Sequence, residues 1–106
     1  MKTTGTLAAL RAEIDTVDEH LVRLLNRRAG WALQIGQFKR ARGLRIYEPV
    51  REAEILARVG QLNGGPLSRA ALQRLFERII DESRSLERVP GDSSDSKLPP
   101  VGNSAP

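Results

Sequence analysis

The sequence predicts an all-α fold of three helices, one long and two shorter. Three observations support this prediction. Apolar residues recur at intervals of three and four along three segments, and residues typical of caps and turns stand at the segment ends. No segment alternates with period two over a useful length, which disfavours a sheet. At 106 residues the chain fits one domain with a modest core.

The first helix is predicted from about Leu7 to about Arg42, with Thr6 as its N-cap and Gly43 just past its end. We interpret two aromatic residues of its stripe, Trp31 and Phe38, as core residues. The apolar positions of this helix are Leu10, Ile14, Val17, Leu21, Leu24, Trp31, Ile35 and Phe38.

Two shorter helices follow a loop at residues 43–48. Pro49 suits the first position of the second helix, which should end before Asn63. Ser68 is a suitable N-cap for the third, which should run to about Arg88. Residues 90–106 (PGDSSDSKLPPVGNSAP) contain few large apolar side chains. We therefore predict a helical domain over residues 1–89 and a disordered C-terminal tail over 90–106.

The length of the first helix predicts a dimer. At 1.5 Å per residue the helix is about 54 Å long, whereas a compact domain of this size is only about 35 Å across. Much of the apolar stripe therefore projects past the other two helices. Since a second copy of the chain is the simplest cover for it, we expect an entwined helical homodimer.

Two cations, Arg28 and Lys39, lie inside the apolar stripe of the first helix. On a helical wheel both fall within about 20° of Leu10. They point the same way and are about 16 Å apart along the axis, so both side chains can lean toward one ligand. The alternative is that each pairs with a buried carboxylate or extends to the surface.

Further polar residues adjoin the stripes of the other two helices. Glu52 continues the apolar stripe of the second helix, and Ser83 and Glu87 extend that of the third. Glu48 stands at the N-terminal end of the second helix. It is either a site residue or a cap, since a carboxylate is favoured there. For Ser83 and Glu87 the alternative is a solvated helix end.

Arg11 cannot share a small ligand with Arg28 of the same straight helix. The two lie about 25 Å apart and about 100° round the wheel. In a dimer with antiparallel long helices, Arg11 can instead reach Arg28 of the other chain. A surface arginine at the edge of the apolar face is the alternative.

Composition excludes several classes of site. The chain has no cysteine and a single histidine, His20, so neither a disulfide framework nor a zinc centre is expected. We expect no membrane span and no signal peptide, and hence a cytoplasmic location. Lys and Arg total 17 against 13 Asp and Glu. A basic helical dimer that binds nucleic acid is thus an alternative, but it requires cations massed on an outward face.

The polar and apolar positions together resemble the all-α chorismate mutases. This family occurs alone or fused to prephenate dehydratase, prephenate dehydrogenase or DAHP synthase. The resemblance covers about residues 6–88 and includes the polar residues within the stripes. The matching stretches are LAALRAEIDTVDEHLVRLLNRR, IGQFK, EPVREAEIL and LFERIIDESRSLE.

The resemblance implies an entwined dimer that rearranges chorismate to prephenate without a cofactor or metal. Arg28 then holds a substrate carboxylate, and Arg11 of the partner chain holds the other. Lys39 donates to the ether oxygen, and Glu87 lies on the far side of that oxygen. The resemblance also implies that Glu48 and Glu52 contact the hydroxyl region of the substrate and that Ser83 contacts a carboxylate. Arg51 would orient the side chains of Glu48 and Glu52.

Two points of the resemblance leave alternatives open: the chemical state of Glu87, and the choice between a mutase and a related lyase. Several family members carry Gln where this chain has Glu87. Because an ionised carboxylate would oppose charge developing on the ether oxygen, we expect Glu87 to act protonated. Isochorismate pyruvate lyase shares the implied fold, dimer and cations, although Arg51 and Glu52 favour the mutases. The sequence does not decide whether the chain associates with a DAHP synthase.

Overall fold

A computed structural model of the chain describes residues 5–88. It contains three α-helices, α1 (Leu7–Arg42), α2 (Pro49–Leu62) and α3 (Arg69–Glu87). No strand occurs within this range. The predicted all-α class is therefore confirmed. The predicted disordered tail, residues 90–106, lies outside the described residues.

The helices begin and end at the capping residues from which the sequence predicts their limits. The hydroxyl of Thr6 accepts a hydrogen bond from the backbone N–H of Ala9 at 3.0 Å, and Ser68 caps α3 in the same way. Gly43 ends α1 with a φ of 67°, in the left-handed region that favours glycine. Pro49 is the first residue of α2, where its missing N–H leaves no bond unmade.

Helix α3 packs against both other helices and organises the domain. Its contact with α1 involves the C-terminal half of α1, where Ala32, Gly36 and Lys39 are buried. A Cβ atom at Gly36 would lie 2.6 Å from the carbonyl oxygen of Glu87. The absence of a side chain at Gly36 thus allows the end of α3 to lie directly on α1.

The first half of α1 extends away from the other helices. The described chain measures 55 × 32 × 18 Å, and its buried hydrophobic residues are few: Ala32, Val59 and Ile80. The residues of the apolar stripe in this half of α1 are 43% to 59% exposed, namely Leu10, Ile14, Val17, Leu21 and Leu24. The prediction that the stripe projects past its own partner helices is confirmed.

Two sequence-based assignments to the core are wrong for the single chain. Trp31 is 62% exposed and Phe38 is 53% exposed. The guanidinium of Arg42 lies 3.7 Å from the centroid of the Phe38 ring. Both aromatic residues therefore lie on faces that one chain leaves uncovered.

None of the helices in residues 5–88 is long and apolar enough to cross a membrane.

Candidate active site

One cleft of about 360 Å³ lies where the second half of α1, the loop at residues 43–48, the start of α2 and the end of α3 meet. Six of the seven residues predicted as site residues line it: Arg28, Lys39, Glu48, Glu52, Ser83 and Glu87. They come from four separate parts of the chain. The fold thus brings together polar residues from the three helices and from the loop between α1 and α2.

Lys39 lines this cleft and is buried, with 6% of its surface exposed. Its Nζ atom donates to the carbonyl oxygen of Ile46 at 3.1 Å and to Oε1 of Glu87 at 2.9 Å. It also lies 2.7 Å from Oε2 of Glu48. Burial by itself lowers the pKa of Lys39, but the hydrogen bonds with Glu48 and Glu87 outweigh it and raise that pKa. Lys39 is therefore a fixed ammonium group at neutral pH.

Glu48 does not act as a side-chain cap. It precedes Pro49 at the N-cap position, yet its carboxylate makes no cap hydrogen bond and turns to Lys39 instead. Its backbone carbonyl accepts the first helical hydrogen bond of α2, from the N–H of Glu52 at 3.0 Å. The position of Glu48 is thus set by the helix start, and its charge faces the cleft.

Arg28 also lines the cleft and is joined to α3 through the hydroxyl of Ser83. Its Nη1 atom donates to Oγ of Ser83 at 2.6 Å. Burial lowers the pKa of Arg28, the positive charge of Arg51 lowers it further, and the negative charge of Glu87 raises it. Two guanidinium groups therefore act on each other electrostatically within one cleft. An anionic ligand between them would relieve that repulsion.

In the single chain Arg51 pairs with a different carboxylate from those that the resemblance implies. The expected role is orientation of Glu48 and Glu52, but its Nη1 atom lies 3.5 Å from Oε1 of Glu54 on its own helix. The cation that holds Glu52 is Arg84, which donates from Nε and Nη2 to both carboxylate oxygens at 2.7 to 3.0 Å. Sequence reasoning missed Arg84, although it adjoins Ser83 on α3.

Sequence reasoning missed two further features, one in the cleft and one beside it. Trp31 lines the cleft. Arg40 donates from Nη1 to the backbone carbonyl of Glu87 at 2.8 Å, which ties the last turn of α3 to α1. Arg11, by contrast, is exposed on the first half of α1 and does not line the cleft. Among residues 5–88 no group of three His, Cys, Asp or Glu is arranged to hold a metal ion.

The fold and the cleft define a class of protein: a small helical domain with fixed cations and carboxylates in one cleft. Comparison with known proteins identifies the family. The model of the family "Chorismate mutase type II" matches residues 10–88. The chain belongs to this family.

The relatives agree in sequence and in fold. The chain is 42% identical over 86 residues to the bifunctional chorismate mutase/prephenate dehydratase of Aquifex aeolicus, a match that spans 77% of this chain and 24% of that protein. It is 41% identical over 78 residues to the enzyme of the same name from Neisseria gonorrhoeae, spanning 74% of this chain and 21% of that protein. The chain thus spans about a quarter of the length of these relatives.

A solved structure extends the likeness to three dimensions. Chorismate mutase (form II) from Thermus thermophilus matches with a TM-score of 0.75 and 37% identity. The match covers 76% of this chain and 92% of that one. The similarity therefore includes nearly the whole of that smaller protein.

Proposed function

We propose that the chain is a chorismate mutase, which rearranges chorismate to prephenate without a cofactor. The observation that carries the proposal is that Lys39 and Arg28 line one cleft together with three carboxylates, those of Glu48, Glu52 and Glu87. Chorismate is a dianion with an ether oxygen between its two parts. A guanidinium can bind a carboxylate through two parallel hydrogen bonds, and an ammonium can bind a single oxygen.

The proposed reaction is a unimolecular rearrangement, in which the C–O bond of the ether breaks as a C–C bond forms. It requires no nucleophile. What accelerates it is selection of the compact conformer of the substrate and stabilisation of the charge that grows on the ether oxygen. Lys39 is already held by Glu48 and Glu87, so it need not reorganise as that charge develops. One such donor is worth about 3–4 kcal/mol of barrier.

The proposed roles of the remaining cleft residues combine their contacts with the roles that the family resemblance implies. Ser83 fixes the guanidinium of Arg28 and shares its carboxylate ligand. Glu48 and Glu52 border the substrate hydroxyl region. Glu87 lies beside Lys39, and in the complex we propose that it acts as a neutral acid that donates to the ether oxygen.

The proposed functional unit is an entwined homodimer with Arg11 of each chain completing the site of the other. Two features support it. The first half of α1 exposes its apolar stripe, and Arg11 lies on that same half, outside the cleft of its own chain. A second chain that covers this stripe buries the apolar surface and introduces a further cation. The two carboxylates of the substrate would then each have a guanidinium.

The test is to give the purified chain chorismate and isochorismate in separate reactions. We expect chorismate to disappear and prephenate to form. Release of pyruvate and salicylate from isochorismate would instead assign the chain to the lyase. A third reaction uses 4-amino-4-deoxychorismate, because a relative from Streptomyces pristinaespiralis named 4-amino-4-deoxychorismate mutase is 32% identical over 85 residues. Faster turnover of that compound would change the proposed substrate.

Nucleic-acid binding is tested by the same preparation. The cations that line the cleft are enclosed among apolar residues and carboxylates, whereas binding to phosphate backbones requires an outward basic face. We expect no retardation of duplex DNA or RNA at moderate salt. Tight binding that weakens steeply with salt would contradict the proposal.

A further inference from the structure

The guanidinium of Arg84 has a partner on each side. It forms a two-point ion pair with Glu52, with Nε donating to Oε2 at 3.0 Å and Nη2 to Oε1 at 2.8 Å. Its Nη1 atom lies 3.3 Å from Oδ1 of Asp81 on its own helix. Its Cζ atom lies 5.1 Å from the centroid of the Tyr47 ring, within the range of a cation–π contact. These contacts hold the guanidinium in one orientation.

The pair of Arg84 and Glu52 is partly removed from water. Each side chain is 23% exposed. By contrast, the side chains of Arg78 and Glu82, which form an ion pair earlier on α3, are 77% and 62% exposed. The hydrogen bond with Glu52 raises the pKa of Arg84, against the opposing effect of burial. Two-point pairing in a half-buried setting fixes the plane of a carboxylate as well as its position.

Through this pair, helix α3 contacts the first turn of α2, where Glu52 lies. Helix α3 is the element that packs on α2, whereas α1, which carries Arg28 and Lys39, packs on α3. Glu52 is therefore positioned relative to those cations through α3, in addition to the contact of Lys39 with Glu48 at the start of α2. A carboxylate held by one guanidinium retains lone pairs, so Glu52 can still accept a hydrogen bond from a ligand hydroxyl.

We propose that Arg84 is a positioning residue that fixes the orientation of the Glu52 carboxylate at the cleft. This inference rests on the proposed mutase function, in which Glu52 contacts the substrate. Arg84 acts through Glu52 and need not touch the substrate itself. The neighbouring Arg51, which pairs with Glu54, does not perform this task.

The test compares Arg84→Ala and Arg84→Lys with Arg78→Ala as the matched control. Arg78 also pairs with a glutamate on α3, at 2.7 Å, but lies outside the cleft. We expect Arg84→Ala to lower kcat/KM by about 10-fold to 100-fold, as loss of a positioning contact does. Arg84→Lys should recover part of the loss, because it keeps the charge without the two-point geometry. Arg78→Ala should retain wild-type turnover.

A double-mutant cycle with Glu52→Ala separates positioning from a general structural effect. If Arg84 acts through Glu52, adding Arg84→Ala to Glu52→Ala should change kcat/KM less than about two-fold, since coupled residues are not additive. Equal losses in both backgrounds, or wild-type turnover of Arg84→Ala, would overturn the inference. Circular dichroism of each variant should match that of the wild type.

An NMR measurement keeps the inference distinct from the proposed function. The Nε–H signal of Arg84 should exchange slowly with water in the wild type and rapidly in Glu52→Ala, whether or not the chain turns over chorismate. Fast exchange in the wild type would overturn the pairing itself. If exchange is slow but the chain does not act on chorismate, the pairing of Arg84 with Glu52 is confirmed and the proposed mutase function is wrong.

Discussion

The Nζ atom of Lys39 and Oε1 of Glu87 lie 2.9 Å apart, although 48 residues separate them in the chain. The pair joins the last turns of α1 and α3, where the backbone of Glu87 also accepts a hydrogen bond from Arg40. Both charged side chains are largely buried, at 8% and 14% exposed. Because such a pair is stable only with good geometry and further hydrogen bonds, the contacts of Lys39 with Glu48 and Ile46 are part of its stability.

Replacing Lys39 by alanine tests the donor to the ether oxygen. We expect kcat to fall by about 10²-fold to 10³-fold, the loss that follows removal of one preorganised donor. Stopped or continuous assays of chorismate disappearance measure it, with helicity followed by circular dichroism. A folded Lys39→Ala protein with near wild-type kcat would contradict the role.

The raised pKa of Lys39 predicts a loss of stability at alkaline pH. The folded chain keeps the proton of Lys39 after the unfolded chain has lost it, so the contribution is fully present below the ordinary lysine pKa of about 10.4. It is lost as the pH rises through the higher folded value. The free energy of unfolding of the wild type should therefore approach that of Lys39→Met above about pH 10.4. A constant difference across that range would contradict the ion pair.

The protonation state of Glu87 is tested by a pH profile of turnover. Glu87 pairs as a carboxylate with Lys39 in the free chain. If it acts as a neutral acid in the substrate complex, wild-type kcat should be lower at high pH than at low pH. The amide in Glu87→Gln does not ionise in this range, so its profile should stay flat through neutrality and exceed the wild type at higher pH. Equal, flat profiles for the two proteins would show that a neutral Glu87 is not required.

Gly36 sets the distance between α1 and the end of α3. In Gly36→Ala the new Cβ would meet the Cα and carbonyl oxygen of Glu87 at 2.7 and 2.6 Å, and backbone atoms cannot rotate away as a side chain can. We expect unfolding to require about 1–3 kcal/mol less, as for other overpacked contacts, and turnover to fall as Glu87 moves. Gly30→Ala is the control, because within the described chain its Cβ would meet nothing within 4 Å beyond its chain neighbours and the local helix backbone. It should be stabilising by about 0.5–1 kcal/mol. Equal stability of the two variants would contradict the close approach.

Mixing two inactive variants tests the shared site. Arg11→Ala and Arg28→Ala should each have low kcat/KM alone. In a mixed dimer, one site combines the intact Arg28 of one chain with the intact Arg11 of the other, and the second site lacks both. Random reassociation of equal amounts should therefore recover about a quarter of wild-type activity. No recovery, with dimers verified by light scattering, would place both arginines in the same chain's site.

The sequence was sufficient for the local structure. The caps at Thr6 and Ser68, the left-handed Gly43 and the first-turn Pro49 are local hydrogen-bond and backbone effects, so the helix limits follow from neighbouring residues. The wheel likewise placed Arg28 and Lys39 on one face, because both belong to one continuous helix. Residues whose positions depend on a single helix were thus predictable.

Contacts between helices were less predictable. Arg51 is the neighbour of Glu52 in the chain and was expected to orient it, yet Arg84 makes that contact from a distance of 32 residues. Trp31 was assigned to the core from its stripe, yet it lines the cleft. Sequence spacing gives the face of a helix on which a residue lies, but not which part of another helix lies opposite.

The sequence by itself determined three helices, their ends and the presence of cations on an apolar face, because these depend on backbone propensities and on the 3.6-residue period. Only the tertiary structure decided that Lys39 contacts both Glu48 and Glu87, and that Arg84 holds Glu52. These pairs depend on the close approach of α3 at Gly36 and on the order in which the helices pack. Helix packing results from the sum of many weak contacts between different helices, so the apolar pattern of one helix does not determine it.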